Sequence, residues 1–440
     1  MLFYGFALAA LLIAPASALD FTFNPQCPAS INCFCLGLGE APNCSHIASN
    51  LLYANYSADG SEHHHFVSTV GSPTLLTVRG SPPPQRSGAR FVEPFDVDWD
   101  AFAGHRADWL QFNATPELVQ GVALTRLFRF SDTDDVADVG KVAPEAVEEI
   151  DLSQLRWEKG ETTTSSSSEA SFRFSTSRYP HDSNNTRADV LGEGVLDMDV
   201  SFYRDAGRDD RPPSLPRAAA GVQVDLALRG LSLHNVSKAR FAAELLLFSF
   251  GVNGTAPAAP VVHTVASLDD EFTSCGGRIS RSYVTLGAEA GYVLWKPVSY
   301  TAEERGRDSF TMVTADGMQN LNSSSSESLV RASALLRGLL LAEGALPTRT
   351  YALLNVTFGK PDDGYYGASN YTDWTFVVGE GKPRLGWLDP YWYLVGVGVA
   401  VGTVALVMAA VAAPCVYSLV RRRRRGLGTF SVLANDSVEV

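Results

Sequence analysis

Of the 440 residues, 35 are Lys or Arg and 48 are Asp or Glu, giving a formal charge of −13. That acidity argues against a nucleic-acid partner, because phosphate recognition depends on clustered cations. The length exceeds what one hydrophobic core usually supports, so two folded domains are expected.

At the N-terminus an apolar run over residues 2–13 leads into Ala16-Ser17-Ala18, the small-x-small pattern of a signal peptidase site. Residues 1–18 therefore read as a signal peptide, with Leu19 opening the mature chain. Cys27, Cys33, Cys35 and Cys44 follow as a cluster, and Cys275 stands apart. In an oxidising compartment the cluster is expected to form two disulfides; three pairings are open, and Cys275 can claim one of the four. The spacing C-x5-C-x-C-x8-C is not that of a zinc site.

Strand patterning dominates the next 350 or so residues. Leu196, Met198, Val200 and Phe202 alternate with Asp197, Asp199 and Ser201, and Val222, Val224, Leu226 and Leu228 alternate with polar or small residues, as in antiparallel sheets with one wet face. Further strands are expected at 66–70, 74–79, 122–130, 170–175, 241–250, 351–358 and 374–378. Helices are expected at 144–150 and 329–341. His63-His64-His65 reads as an exposed polar loop, since neighbouring residues of an extended segment point to opposite faces and do not close a metal site. The segments 81–87, 162–168 and 205–217 read as linkers. The last is the expected boundary between two lumenal β-sandwich-like domains, 19–215 and 216–388.

Residues 391–420 carry no charge, and Arg421, Arg422, Arg423, Arg424 and Arg425 follow at once. About twenty apolar residues suffice for a helix to cross a bilayer. The arginines assign the following residues, 421–440, to the cytosol, and Trp387, Tyr391, Trp392 and Tyr393 form an aromatic belt at the lumenal boundary. The topology is single-pass type I. Gly398 and Gly402 form a G-x-x-x-G pair, a small-residue surface on which another membrane helix can pack. Cys415 lies near the cytosolic end of the span, where an inert thiol is the ordinary role and palmitoylation the alternative.

Ten of the fifteen asparagines head N-x-S/T sequons, far above the two or three that chance would give. Nine precede the span: Asn43, Asn55, Asn113, Asn184, Asn235, Asn253, Asn322, Asn355 and Asn370. Asn435 falls in the cytosolic tail, away from the glycosylation machinery. A glycan coat of this density suits a degradative lumen or a cell surface. No zinc-protease helix, nucleophile elbow, P-loop or dinucleotide fingerprint is present, so no catalytic residue, metal ligand or cofactor is assigned. Asp269-Asp270-Glu271 is read as an acidic loop, though paired carboxylates leave a tethered glycosidase-like hydrolase as one alternative. An adhesion or receptor ectodomain is another.

Thr125-Arg126-Leu127 with Phe128 and Phe130, Ser267-Leu268-Asp269-Asp270-Glu271-Phe272, Trp295-Lys296-Pro297-Val298-Ser299-Tyr300 and Asn355-Val356-Thr357-Phe358-Gly359 resemble, in content and order, segments of the glycosylated lysosomal membrane protein family. The resemblance extends from about Leu51 to the C-terminus. It implies a non-catalytic accessory subunit at the lysosomal membrane that protects a dipeptide-exporting transporter of the major facilitator superfamily from proteolysis. Asn355 matches a sequon of the family. Animal members end in a Y-x-x-Φ sorting signal, and this chain has Phe430-Ser431-Val432-Leu433 in that place, without the hydroxyl. The resemblance therefore implies delivery through the transporter's own signal.

Overall fold

The computed structural model describes residues 19–28, 51–58, 61–80, 94–106, 109–113, 116–176, 191–209, 211–233, 236, 238–251, 257–269, 277–287, 291–340, 349–384 and 389–429. They belong to two compact units, a first ending at Arg384 and a second, C-terminal one.

The first unit is built from antiparallel strands whose alternation fixes which face is buried. One sheet runs in the order Asp20–Phe23, Leu52–Ala58, Ser61–Ser68, Thr74–Gly80, Leu118–Ser131, Ala239–Phe250, Arg349–Phe358 and Phe310–Leu321. Val147–Asp151 pairs with the far half of Leu118–Ser131. The second sheet runs Trp157–Ser166, Glu169–Thr176, Val195–Tyr203, Gly221–Arg229, Tyr371–Glu380, Gly291–Tyr300, Gly277–Leu286 and Val261–Asp269. Phe310–Leu321 links the two: residues 310–312 pair with Gly291–Tyr300, and the rest with Arg349–Phe358.

The main core lies between the sheets. Phe241, Ala243, Leu245 and Leu247 of the first meet Phe172, Leu196, Val224 and Phe376 of the second in one buried cluster. The opposite parity of the strand Ala239–Phe250 faces away from this core. There Leu246, Phe248 and Phe250 are covered by a third layer, made of the hairpin Phe95–Val97/Leu110–Phe112 and the helices Trp99–Ala103 and Ala334–Leu340. A strand buried on both faces reads as a continuous apolar run, and LLLFSF over residues 245–250 is such a run. The indole of Trp109 donates to the carbonyl of Ala334 at 3.0 Å. Its ring occupies the space that a Cβ on Gly338 would need.

All nine strands expected from the sequence are present, each within a few residues of its ends. The helix expected at 329–341 is two helices, Ser323–Ala332 and Ala334–Leu340, broken at Ser333. Ser333 is extended, and its hydroxyl bonds Thr74 at 2.7 Å and accepts from Leu336 N–H at 3.2 Å, capping the second helix.

Other expectations need correction. Residues 144–150 form a single 3-10 turn, Pro144–Ala146, followed by the strand Val147–Asp151; two carboxylates of that strand, Glu148 and Glu149, pair with Arg129 and Arg126. Residues 162–168, read as a linker, belong to a hairpin between Trp157–Ser166 and Glu169–Thr176. His63, His64 and His65 are buried in the middle of a sheet. At residue 215, the expected boundary, the pairing has no break. Val195–Tyr203 bonds Gly221–Arg229 across it, as Leu118–Ser131 bonds Ala239–Phe250. Segment 205–217 carries the small hairpin Gly207–Arg208/Pro216–Arg217 within the same unit. Segment 81–87 and the signal peptide lie outside the described residues.

Candidate functional site

Among the described residues the second unit is one helix, Asp389–Thr429, of 41 residues. At 1.5 Å per residue it is about 60 Å long, twice the thickness of a hydrocarbon core. Its candidate span, Val395–Arg424, contains an 18-residue window with a mean hydropathy of 2.3. Polar side chains within it are satisfied locally: Thr403 donates to the carbonyl of Val399 at 2.6 Å and Ser418 to that of Cys415 at 2.8 Å. Such pairing is what a bilayer demands. Gly398, Gly402, Ala405 and Ala409 recur at helical spacing on one side. A Cβ built at Gly396, Gly398 or Gly402 would meet no atom within 4 Å.

The sequon asparagines occupy different environments. Asn113, Asn322 and Asn370 are exposed. Asn322 caps the helix Ser323–Ala332, its Oδ1 accepting from Ser325 N–H at 2.8 Å. A glycan is joined through Nδ2, so this cap is compatible with modification. Asn370 has φ +53°, and its carbonyl is held by Gly230 N–H and the Tyr366 hydroxyl. Asn55 and Asn355 are half-buried within strands. Asn355 lies between Glu244 and Asp316, with its Oδ1 unbonded. Asn43, Asn184, Asn235 and Asn253 fall outside the described residues. Cys27 is disulfide-bonded, whereas Cys33, Cys35, Cys44 and Cys275 also lie outside them, as do Asp270, Glu271 and the tail from Phe430.

Inside the first unit several buried ionisable groups are engaged with one another. Arg240 is 1% exposed. Its guanidinium bonds Asp132 at 2.7 Å, Asp363 at 2.7 Å and Asp135 at 2.6 Å, and also reaches the Lys360 carbonyl. Burial pushes the Asp363 carboxyl up, but hydrogen bonds from Lys360 N–H, Thr311 and Arg240 outweigh it and hold the group below the usual carboxylate range. A cavity of about 170 Å³ opens beside this knot, lined by Arg240, Thr311, Asp363 and Tyr366 among others. On the outer face of the second sheet, Arg305 grips Asp373 through two bonds and Asp225 through a third. Arg126 makes a two-point contact with Glu244 at 2.8 and 2.9 Å and reaches Glu149.

The three histidines divide between faces. His63 bonds Glu380 at 3.0 Å, which also takes Arg79 at 3.2 Å. His64 shares a hydrogen bond with the Tyr53 hydroxyl at 2.8 Å, and His65 one with Thr77 at 3.2 Å. Burial, reinforced by His63, lowers His64 to about 4; burial and its two histidine neighbours lower His65 to about 3. Among the described residues no group of three His, Cys, Asp or Glu side chains is placed to hold a metal.

These hubs were not singled out from the sequence. A signal was available, because Arg240 and Glu244 interrupt the otherwise apolar strand ARFAAELLLFSF, and a charge in such a run needs a buried partner. The ordered segments noted in the sequence acquire structural roles. Arg126 serves Glu244. Trp295 and Tyr300 are fully buried on a strand whose register shifts between Trp295 and Ser299, where Pro297 has no N–H to give to a ladder. Thr357 accepts from Val139 N–H at 3.1 Å. Gly359 has φ +116°, and a Cβ there would come within 2.2 Å of the Arg240 guanidinium.

A large antiparallel β-sandwich joined in sequence to one apolar helix with a basic collar defines a single-pass membrane protein with its folded mass on one side. A sequence profile of the family described as glycosylated lysosomal membrane protein matches residues 50–425. The chain belongs to that family, and it is a lysosomal membrane protein with a lumenal ectodomain. The glycosylated lysosomal membrane protein of Bos taurus is 23% identical over 369 residues, covering 82% of this chain and 83% of its own. That of Danio rerio is 25% identical over 341 residues, covering 76% and 75%. That of Homo sapiens is 22% identical over 358 residues, covering 81% of each.

Proposed function

We propose that this chain is a non-catalytic accessory subunit that stabilises a multispanning transporter of the major facilitator superfamily, one that moves dipeptides, and protects it from lysosomal proteases. The observation that supports this reading is the open small-residue face of the membrane helix at Gly398 and Gly402. Close helix–helix packing gains dispersion contacts there that lipid tails cannot match. The consumption of buried charges in salt-bridged knots is consistent with a sandwich built to persist. Nine lumenal sequons would supply the protective coat, with Asn113, Asn322 and Asn370 the best exposed of those described.

The test is affinity purification of the full chain in mild detergent, followed by mass spectrometry. A multispanning transporter is expected to co-purify, and Gly398→Leu with Gly402→Leu should reduce its recovery several-fold. Removing the chain should shorten the transporter's half-life in lysosomes. Recovery of no transporter, with an intact and correctly localised bait, would sink the proposal.

A further inference from the structure

The arginine run does more than set orientation. No Asp or Glu occurs between Asp389 and Asp436, so five positive charges stand without an acidic neighbour on their own helix. Residues 421–425 are continuous with the membrane helix, which persists to Thr429. The side chains of Arg421, Arg422, Arg423 and Arg424 are all exposed. Consecutive helical residues turn by about 100°. Four of them already encircle the axis, and the collar begins one residue beyond Val420, at the edge of the apolar stretch. A protein groove would meet only one side of such a ring. Lipid headgroups surround a membrane helix, and those of the cytoplasmic leaflet are the anionic ones.

We propose that residues 421–425 form a collar that binds phosphoinositide headgroups of the cytoplasmic leaflet. Guanidinium forks pair bidentately with phosphate oxygens, whereas lysine acts as a point charge. A polyphosphorylated inositol ring presents several phosphates within reach of two or three neighbouring arginines. Phosphatidylserine offers a single net charge per molecule. The collar thus discriminates by phosphate multiplicity as well as by charge.

The experiment uses the purified full chain reconstituted in phosphatidylcholine vesicles. Parallel vesicles contain phosphatidylinositol bisphosphate, or phosphatidylserine at matched surface charge. Retained lipid is counted by native mass spectrometry. The wild type should enrich the bisphosphate lipid by about tenfold over phosphatidylcholine, and by several-fold over phosphatidylserine. Replacing all five arginines by glutamine should abolish the enrichment. Because that change also removes the orientation signal, a five-lysine variant keeps the charge and the topology, and it should lose several-fold while remaining type I. Equal retention by wild type and glutamine variant would overturn the collar, and equal enrichment of phosphatidylserine would overturn its phosphate selectivity. Competition by soluble inositol hexakisphosphate that equals binding in neutral vesicles would overturn the lipid as the source.

Discussion

Replacing Arg240 by methionine tests the idea that buried charge knots hold the ectodomain together. The side chain and its partner Asp132 are each 1% exposed, so the variant leaves a carboxylate in a dry site with no cation. Breaking a buried pair from one side costs about 3–5 kcal/mol. For a body of this size that corresponds to roughly 4–6 °C in the unfolding midpoint. The loss should depend on pH. In the wild type the folded pKa of Asp363 is depressed, so its contribution is complete above the ordinary carboxylate value near 4 and disappears only as pH falls through the lower folded value. Without Arg240 the burial of the Asp363 carboxyl is opposed by fewer hydrogen bonds, so its folded pKa rises. The stabilisation that its ionisation gives at neutral pH shrinks, and the penalty relaxes as pH drops toward 4. Tryptophan fluorescence during heating of the full chain in detergent, at pH 7 and pH 4.5, measures both quantities. A penalty under about 1 kcal/mol, or one identical at the two pH values, would refute the reasoning.

Three further outcomes follow from the same structure. Gly359→Ala combines a φ of +116° with a 2.2 Å approach to Arg240, and should destabilise by about 2–4 kcal/mol; an unchanged melting midpoint would show that the loop relaxes freely. The depressed pKa values of His64 and His65, about 4 and about 3, mean that their contribution is complete above the unfolded value near 6.5 and is lost progressively as pH falls toward the folded ones. Between pH 6.5 and 5 stability should drop by up to about 2.7 kcal/mol per pH unit, visible as a falling midpoint and as proton uptake on unfolding; a flat profile would contradict their burial. Asn322→Ala should cost about 1 kcal/mol through loss of the helix cap, whereas Ser324→Ala removes the same sequon and keeps the cap. Equal destabilisation by the two, with equal loss of any glycan, would assign the effect to the glycan.

Much of this architecture is readable along the chain because the signal is local. Alternation at 196–202 and 222–228 marks strands with one face toward a core, and the uncharged stretch before Arg421 marks a bilayer helix. Neither depends on which other segment is nearby. The histidines at 63–65 show where such reading stops: polarity suggested a loop, but Glu380, Tyr53 and Thr77 satisfy them inside a sheet. Two of those partners lie within twelve residues or so, the third 317 residues away.

The sequence by itself determined the strand-rich class, the membrane helix and its orientation, and the abundance of sequons. Each is a property of short-range periodicity, run length or spacing. The tertiary structure decided that Ala239–Phe250 lies between Leu118–Ser131 and Arg349–Phe358, that strands on both sides of residue 215 share the same sheets, and that Arg240 and Arg305 each gather carboxylates from segments distant in the sequence. Strand pairing uses backbone groups that every residue carries, so periodicity cannot name the partner. A buried charge is stable only where the fold delivers its counter-ions, and that delivery is visible in three dimensions alone.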